Sequence, residues 1–156
     1  MLPIQPKDHR GYFMVPQAPE DAGYYVYGTP GEGAGQYAHP AMMAMLLFVE
    51  RQWAAMEDRK FGLGNVSLFD GSPYPKHASH KSGLEVDVRP MRKDGAQRPV
   101  YWQWVDEYDR GGTAKLIELF RTYPAVGKIY FNDPELHHLV QPLAGHDHHF
   151  HVELRA

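Results

Sequence analysis

The chain has no cysteine in its 156 residues. That absence excludes disulfide frameworks and thiolate metal sites alike. No apolar run approaches the ~20 residues that a membrane-spanning helix needs, so no membrane span is expected. Met1-Leu2-Pro3-Ile4-Gln5-Pro6-Lys7 has neither a basic start nor an apolar stretch, and no secretory leader is read there. Basic runs are missing as well. With Lys+Arg 16 against Asp+Glu 19 and a net charge of −3, nucleic acid is not an expected partner. The glycine-rich stretch from Gly28 to Gly35 is followed by no Gly-Lys-Ser/Thr, which excludes a phosphate-binding loop. No Ser-x-x-Lys pair offers a serine nucleophile.

The length suits one domain over residues 1–156, burying roughly two thirds of the unfolded surface. Residues 1–36 are rich in Pro, Gly and Tyr, with a short strand expected between Gly23 and Gly28. Pro40 opens a helix to about Asp58, in which Met42, Met45, Leu46, Val49, Trp53 and Met56 recur at spacings of three and four. That helix is expected to be buried on more than one side, with its methionines as core filler. Strands are expected over Asn65–Phe69, Leu84–Val88, Val126–Phe131 and from about His148 to Leu154. Thr113 reads as the N-cap of a helix with Leu116, Ile117, Phe120 and Tyr123 on one face, ending before Pro124. Asp133-Pro134 reads as the start of a short helix to about Val140. Residues 91–112 form a long polar connection in which Trp102 and Trp104 either pack over the sheet or hold substrate. The irregular alternation of elements predicts an α+β fold, an antiparallel β-sheet with helices packed on one side.

Four of the ten histidines fall between positions 146 and 151. Phe150, Val152 and Leu154 alternate with His149, His151 and Glu153, the period-2 pattern of a half-buried strand. His149 and His151 therefore leave one face ~7 Å apart along the strand, at ~3.3 Å per residue. That spacing suits one metal ligand and one neighbouring acid/base. Upstream, Ser79-His80-Lys81-Ser82-Gly83-Leu84-Glu85-Val86-Asp87 places an imidazole and a carboxylate seven residues apart, with Gly83 relaxing the backbone between them. His80, Asp87 and His151 would make a His2Asp zinc site on the sheet, with the fourth position open to water.

These two motifs, H-x-x-G-x-x-x-D and Gly145-His146-Asp147-His148-His149-Phe150-His151-Val152, closely resemble those of the penicillin-insensitive murein endopeptidases. That family belongs to the lysostaphin, D-alanyl-D-alanine peptidase and hedgehog-like group of zinc peptidases. The likeness is concentrated in the motifs and runs loosely over positions 60 to 154, leaving residues 1–36 unmatched. It implies that His80, Asp87 and His151 bind Zn2+, that His149 is the catalytic acid/base and that His146 lines the site and orients substrate or steadies an oxyanion. The implied activity is zinc-dependent hydrolysis of murein stem peptides or cross-links, with the D-alanyl to meso-diaminopimelyl bond favoured. A related D,D-carboxypeptidase or dipeptidase, an L-alanyl-D-glutamyl endopeptidase and a non-catalytic zinc-binding module are the alternatives.

Such an enzyme acts on peptidoglycan in the periplasm or cell wall. The missing leader suggests removal of a signal peptide, phage lysis or an injected effector, the last with an immunity protein as partner. Of the remaining polar residues, His148 falls on the opposite side of the strand from His149, as a surface or supporting residue. His77 is a loop or supporting histidine. His137 and His138 are expected to face solvent, and His39 to cap the helix that follows it. Glu85 and Glu153 share the site face and either reach the cavity or serve the fold.

Overall fold

The computed structural model describes residues 6–75 and 78–155. Among these residues, seven strands form two sheets, accompanied by two α-helices. β1 (Phe13–Met14) pairs with β3 (Tyr37–Ala38) in a small antiparallel ribbon. β2 (Tyr24–Val26), β4 (Phe61–Leu63), β5 (Glu85–Val88), β6 (Val126–Tyr130) and β7 (Phe150–Leu154) form the main sheet, in the order β2-β4-β5-β7-β6. α1 spans Pro40–Met56 and α2 spans Arg110–Arg121. Helices and sheet make the fold α+β, but the main sheet is mixed. β2 and β4 run parallel, Tyr24 opposite Phe61, and the other pairs are antiparallel. A parallel neighbour needs a crossover, and α1 lies in the chain between β2 and β4.

Both helices pack on the same face of that sheet. Trp53 of α1 meets the Phe61 ring edge-on at 6.5 Å, and Phe120 of α2 meets Phe61 at 6.0 Å and Phe150 at 5.7 Å. Val86, Val88, Phe150 and Val152 fill the same core with no measurable exposure. α1 is buried along one stripe only, Met42, Met45, Leu46, Val49, Glu50 and Trp53, while Leu47, Phe48 and Met56 are exposed. The helix is thus not buried on more than one side, contrary to what its apolar spacing suggests. The stripe takes in a carboxylate because Glu50 accepts the backbone N–H of Gly23 at 2.9 Å. His39 caps α1 through Nδ1, which accepts the Ala41 N–H at 3.0 Å.

Three other boundaries differ from expectation. No strand forms over Asn65–Phe69, because that segment is shared between neighbours. Asn65 O accepts from Asp87 N, Val66 N donates to Gly35 O, and Ser67 O accepts from Tyr37 N. α2 starts at Arg110, with the Asp109 carboxylate accepting the Gly112 N–H at 2.9 Å. Thr113 is spent elsewhere, its hydroxyl accepting Met91 N–H at 2.9 Å. After Asp133 only one 3-10 turn forms, Pro134–Leu136.

The unmatched N-terminal segment is tied to the rest. Arg10 forms an ion pair with buried Asp8 at 2.7 Å and donates to Lys81 O at 2.7 Å and Leu68 O at 3.0 Å. No helix among the described residues is long and apolar enough to cross a membrane.

Phe120 joins α2 to two strands, so Phe120→Ala is expected to lower the unfolding free energy by about 3–5 kcal/mol. Urea denaturation checks this, and a loss under about 1 kcal/mol would contradict the packing described.

Candidate metal centre

β5 and β7 are paired so that Asp87 lies opposite His151 and Glu85 opposite Glu153. Because strand side chains alternate, these four polar residues share the face turned away from the helices. Tyr130 of β6 joins them, opposite His151.

His80 arrives from the loop before β5. Gly83, at φ +72°, makes the turn possible, since a Cβ there would approach His39 N to 2.8 Å. His80 is itself left-handed, at φ +63°, an uncommon conformation for a residue with a side chain. Two contacts hold it. Its backbone N–H donates to Glu85 Oε2 at 2.7 Å, and its ring Nδ1 donates to the Val66 carbonyl at 3.1 Å. With Nδ1 so engaged, Nε2 is the nitrogen turned toward Asp87 Oδ2, 3.1 Å away.

His151 approaches the other carboxylate oxygen, with Nδ1 3.0 Å from Asp87 Oδ1. His80 and His151 are buried, and the Asp87 side chain is 13% exposed. One ligand atom from each of the three lies within 4.8 Å of the others. A lone pair aimed at a carboxylate oxygen is repulsive unless a proton or cation lies between them. Ligands bonded at ~2.0–2.2 Å around a tetrahedral ion stand about 3.3 Å apart, close to the two nitrogen–oxygen separations here. The group could therefore hold a metal ion. Glu85, His151 and Glu153 make a second cluster with the same property, built on the opposite ring nitrogen of His151.

His149 sits beside Asp87, its Nε2 3.7 Å from Oδ1. Burial pushes this imidazole down to about 4, the Asp87 charge resists, and His146, His148 and His151 lower it further. His149 is thus neutral at physiological pH and free to accept a proton. His151 has the opposite fate. Burial would lower it, but hydrogen bonds and charge from Asp87 and Glu85 prevail and raise it to about 9. For Asp87, burial would raise the carboxyl, yet His151 and His80 hold it far below the usual carboxylate range.

The His146 ring lies 4.8 Å from that of His149, 5.7 Å from His151 and 5.9 Å from Tyr130. Its Nδ1 lies 3.1 Å from Leu143 O and so donates, turning Nε2 elsewhere. His148 stacks on Tyr101 at 5.2 Å, and its Nδ1 is 3.4 Å from His149 Nδ1. Between these histidines, Asp147 accepts from Trp102 Nε1, Gln103 Nε2 and Asn132 Nδ2, anchoring the aromatic connection beside the site. Trp102 packs against the core, whereas Trp104 is 45% exposed. His137 and His138 are exposed and stand on the turn after β6. His77 lies outside the described residues.

Four contributors escaped the sequence reading: Tyr130, Tyr74, the Val66 carbonyl and Arg10. Tyr74 packs edge-on against His80 at 5.9 Å, and Arg10 pins the Lys81 carbonyl next to His80. Tyr130 alone carried a legible signal, since it alternates with buried Ile129 and Phe131. No protein-family model matches the chain, and no curated protein matches its sequence.

Without metal, His151 is an imidazolium at pH 7, and an ion taking Nδ1 must displace that proton. Apparent affinity for a divalent transition metal is therefore expected to rise about tenfold per pH unit from 7 to about 9, then flatten. Ion-binding titrations across this range read the slope, and a flat profile would contradict the assignment. A double variant, His80→Ala with Asp87→Ala, should lose the ion by elemental analysis.

Proposed function

We propose that this chain is a zinc-dependent peptidoglycan endopeptidase, cutting peptide bonds in murein cross-links, with the D-alanyl to meso-diaminopimelyl bond as the target. The supporting observation is the convergence of His80, Asp87 and His151 with a neutral His149 alongside. Two imidazoles, one carboxylate and no cysteine form a donor set suited to zinc with an open fourth position. When bound, zinc would bring the pKa of a water toward neutrality and polarise the scissile carbonyl.

The remaining chemistry falls to side chains of this chain. Asp87 and His151 hold their donor atoms 3.0 Å apart through the β5–β7 register, so the site is set before substrate arrives. His149 takes the proton of the attacking water and hands it to the leaving amine. Burial leaves it unprotonated at neutral pH, with a lone pair to offer. His146, 4.8 Å away ring to ring, is the residue that steadies the developing oxyanion or orients the peptide. A neutral acid/base beside the ligand set favours an enzyme over a non-catalytic zinc-binding module.

His149→Ala is expected to retain zinc and lose about 10²–10⁴-fold in turnover. Equal loss of ion and activity would instead make His149 a ligand. With cross-linked muropeptide dimers as substrate, a chelator should stop cleavage, added zinc should restore it, and penicillin should have no effect. Mass spectrometry of the products names the bond, and inhibition by penicillin with indifference to chelator would overturn the proposal.

A further inference from the structure

Glu85, which is outside the proposed ligand set, touches both candidate histidine ligands. Its Oε2 accepts the backbone N–H of His80 at 2.7 Å, and its Oε1 lies 3.5 Å from His151 Nε2. We propose that Glu85 is the positioning residue of the metal centre, holding His80 in its left-handed backbone and His151 in the tautomer that turns Nδ1 toward the ion. The proposal rests on the metal reading of His80, Asp87 and His151.

The tautomer follows from what faces each ring nitrogen. A neutral imidazole has one N–H and one lone pair. Nε2 of His151 faces two carboxylates, Glu85 Oε1 and Glu153 Oε1, each at 3.5 Å, and ionised carboxylates only accept. Nδ1 faces Asp87 Oδ1 at 3.0 Å, so once an ion stands between those two atoms the Nδ1 lone pair goes to the ion and the remaining proton belongs on Nε2. A carboxylate behind a ligating imidazole also makes it a stronger ligand. The second half of the role is backbone control. At φ +63° His80 occupies a conformation that its own sterics disfavour, and the 2.7 Å bond from its N–H is one of the contacts that keep it there. Glu153 lacks that contact: it approaches His151 alone, so Glu85 and not Glu153 carries both functions.

The same carboxylates open onto a pocket of about 460 Å³ beside Ser79, Lys81 and Ser82. A second cation held by Glu85, His151 and Glu153 is the competing use of this cluster, and the test separates the two. The full chain is stripped of metal and titrated with zinc against a chromophoric chelator, as wild type, Glu85→Ala, Glu85→Gln and Glu153→Ala. The expected result is one zinc per chain throughout, with affinity about 10–100-fold weaker in Glu85→Ala. Glu85→Gln, whose single amide oxygen replaces one of the two contacts, should fall between Glu85→Ala and wild type, and Glu153→Ala should lose less than Glu85→Ala. In the zinc-loaded protein, ¹⁵N NMR should find His151 protonated at Nε2, with that proton exchanging faster once Glu85 is replaced.

Affinity within twofold of wild type in Glu85→Ala would overturn the proposal, as would an equal loss in Glu153→Ala. Two ions in wild type, with only the weaker one lost on replacing Glu85, would make the cluster a second cation site instead. If Glu85→Ala does not fold, unchanged affinity in Glu85→Gln overturns the role. Absence of zinc binding in the unaltered chain would remove the centre itself, an outcome distinct from any difference among variants.

Discussion

The cross-strand contact between Asp87 and His151 is the constraint on which the rest of this structure depends. It exists because β5 and β7 pair in a single register, and that register is also what packs the core. Val86 opposite Val152 and Val88 opposite Phe150 place four apolar side chains beneath the helices. A slip of β7 by one residue would turn Phe150 and Val152 to the polar face and send His151 into the core. Burial of Phe150 against Phe120 therefore stabilises the site geometry as much as the fold. Hydrophobic packing sets the register, and the register sets a nitrogen 3.0 Å from an oxygen.

Around that contact, two histidines two residues apart acquire opposite character. His151 stands between Asp87 and the Glu85/Glu153 pair, and Asp87 and Glu85 raise it to about 9 despite its burial. His149 has one carboxylate at 3.7 Å and imidazoles for its other neighbours, and burial takes it down to about 4. Environments that push titratable neighbours apart are how a site divides binding from proton transfer. Here the division suits His151 as a ligand, which must displace a proton to bind an ion, and His149 as a base.

Much of this was legible from local pattern. The alternation from His149 to Leu154 was enough to identify β7 and its buried side, and the spacing of His80, Gly83 and Asp87 marked a turn into β5. α1 was readable from Pro40 and its apolar stripe. What escaped depended on partners distant in sequence. The parallel β2–β4 pairing follows from packing around α1, and no local signal in Phe61–Leu63 carries it. Asn65–Phe69 has strand-like residues, yet its backbone bonds are divided between Asp87 on one side and residues 35–37 on the other. Gly111 and Gly112 looked like loop and form the first turn of α2, because the Asp109 carboxylate caps it. Arg10, 70 positions before His80, holds the His80 loop through the Lys81 carbonyl, a contact no spacing rule reaches.

Crystals of the full chain grown with zinc and measured on both sides of the zinc absorption edge test the centre most directly. One anomalous peak is expected, about 2.0–2.2 Å from His80 Nε2, an Asp87 carboxylate oxygen and His151 Nδ1. A peak bound only at His151 Nε2 between Glu85 and Glu153, or none at full zinc supply, would contradict it.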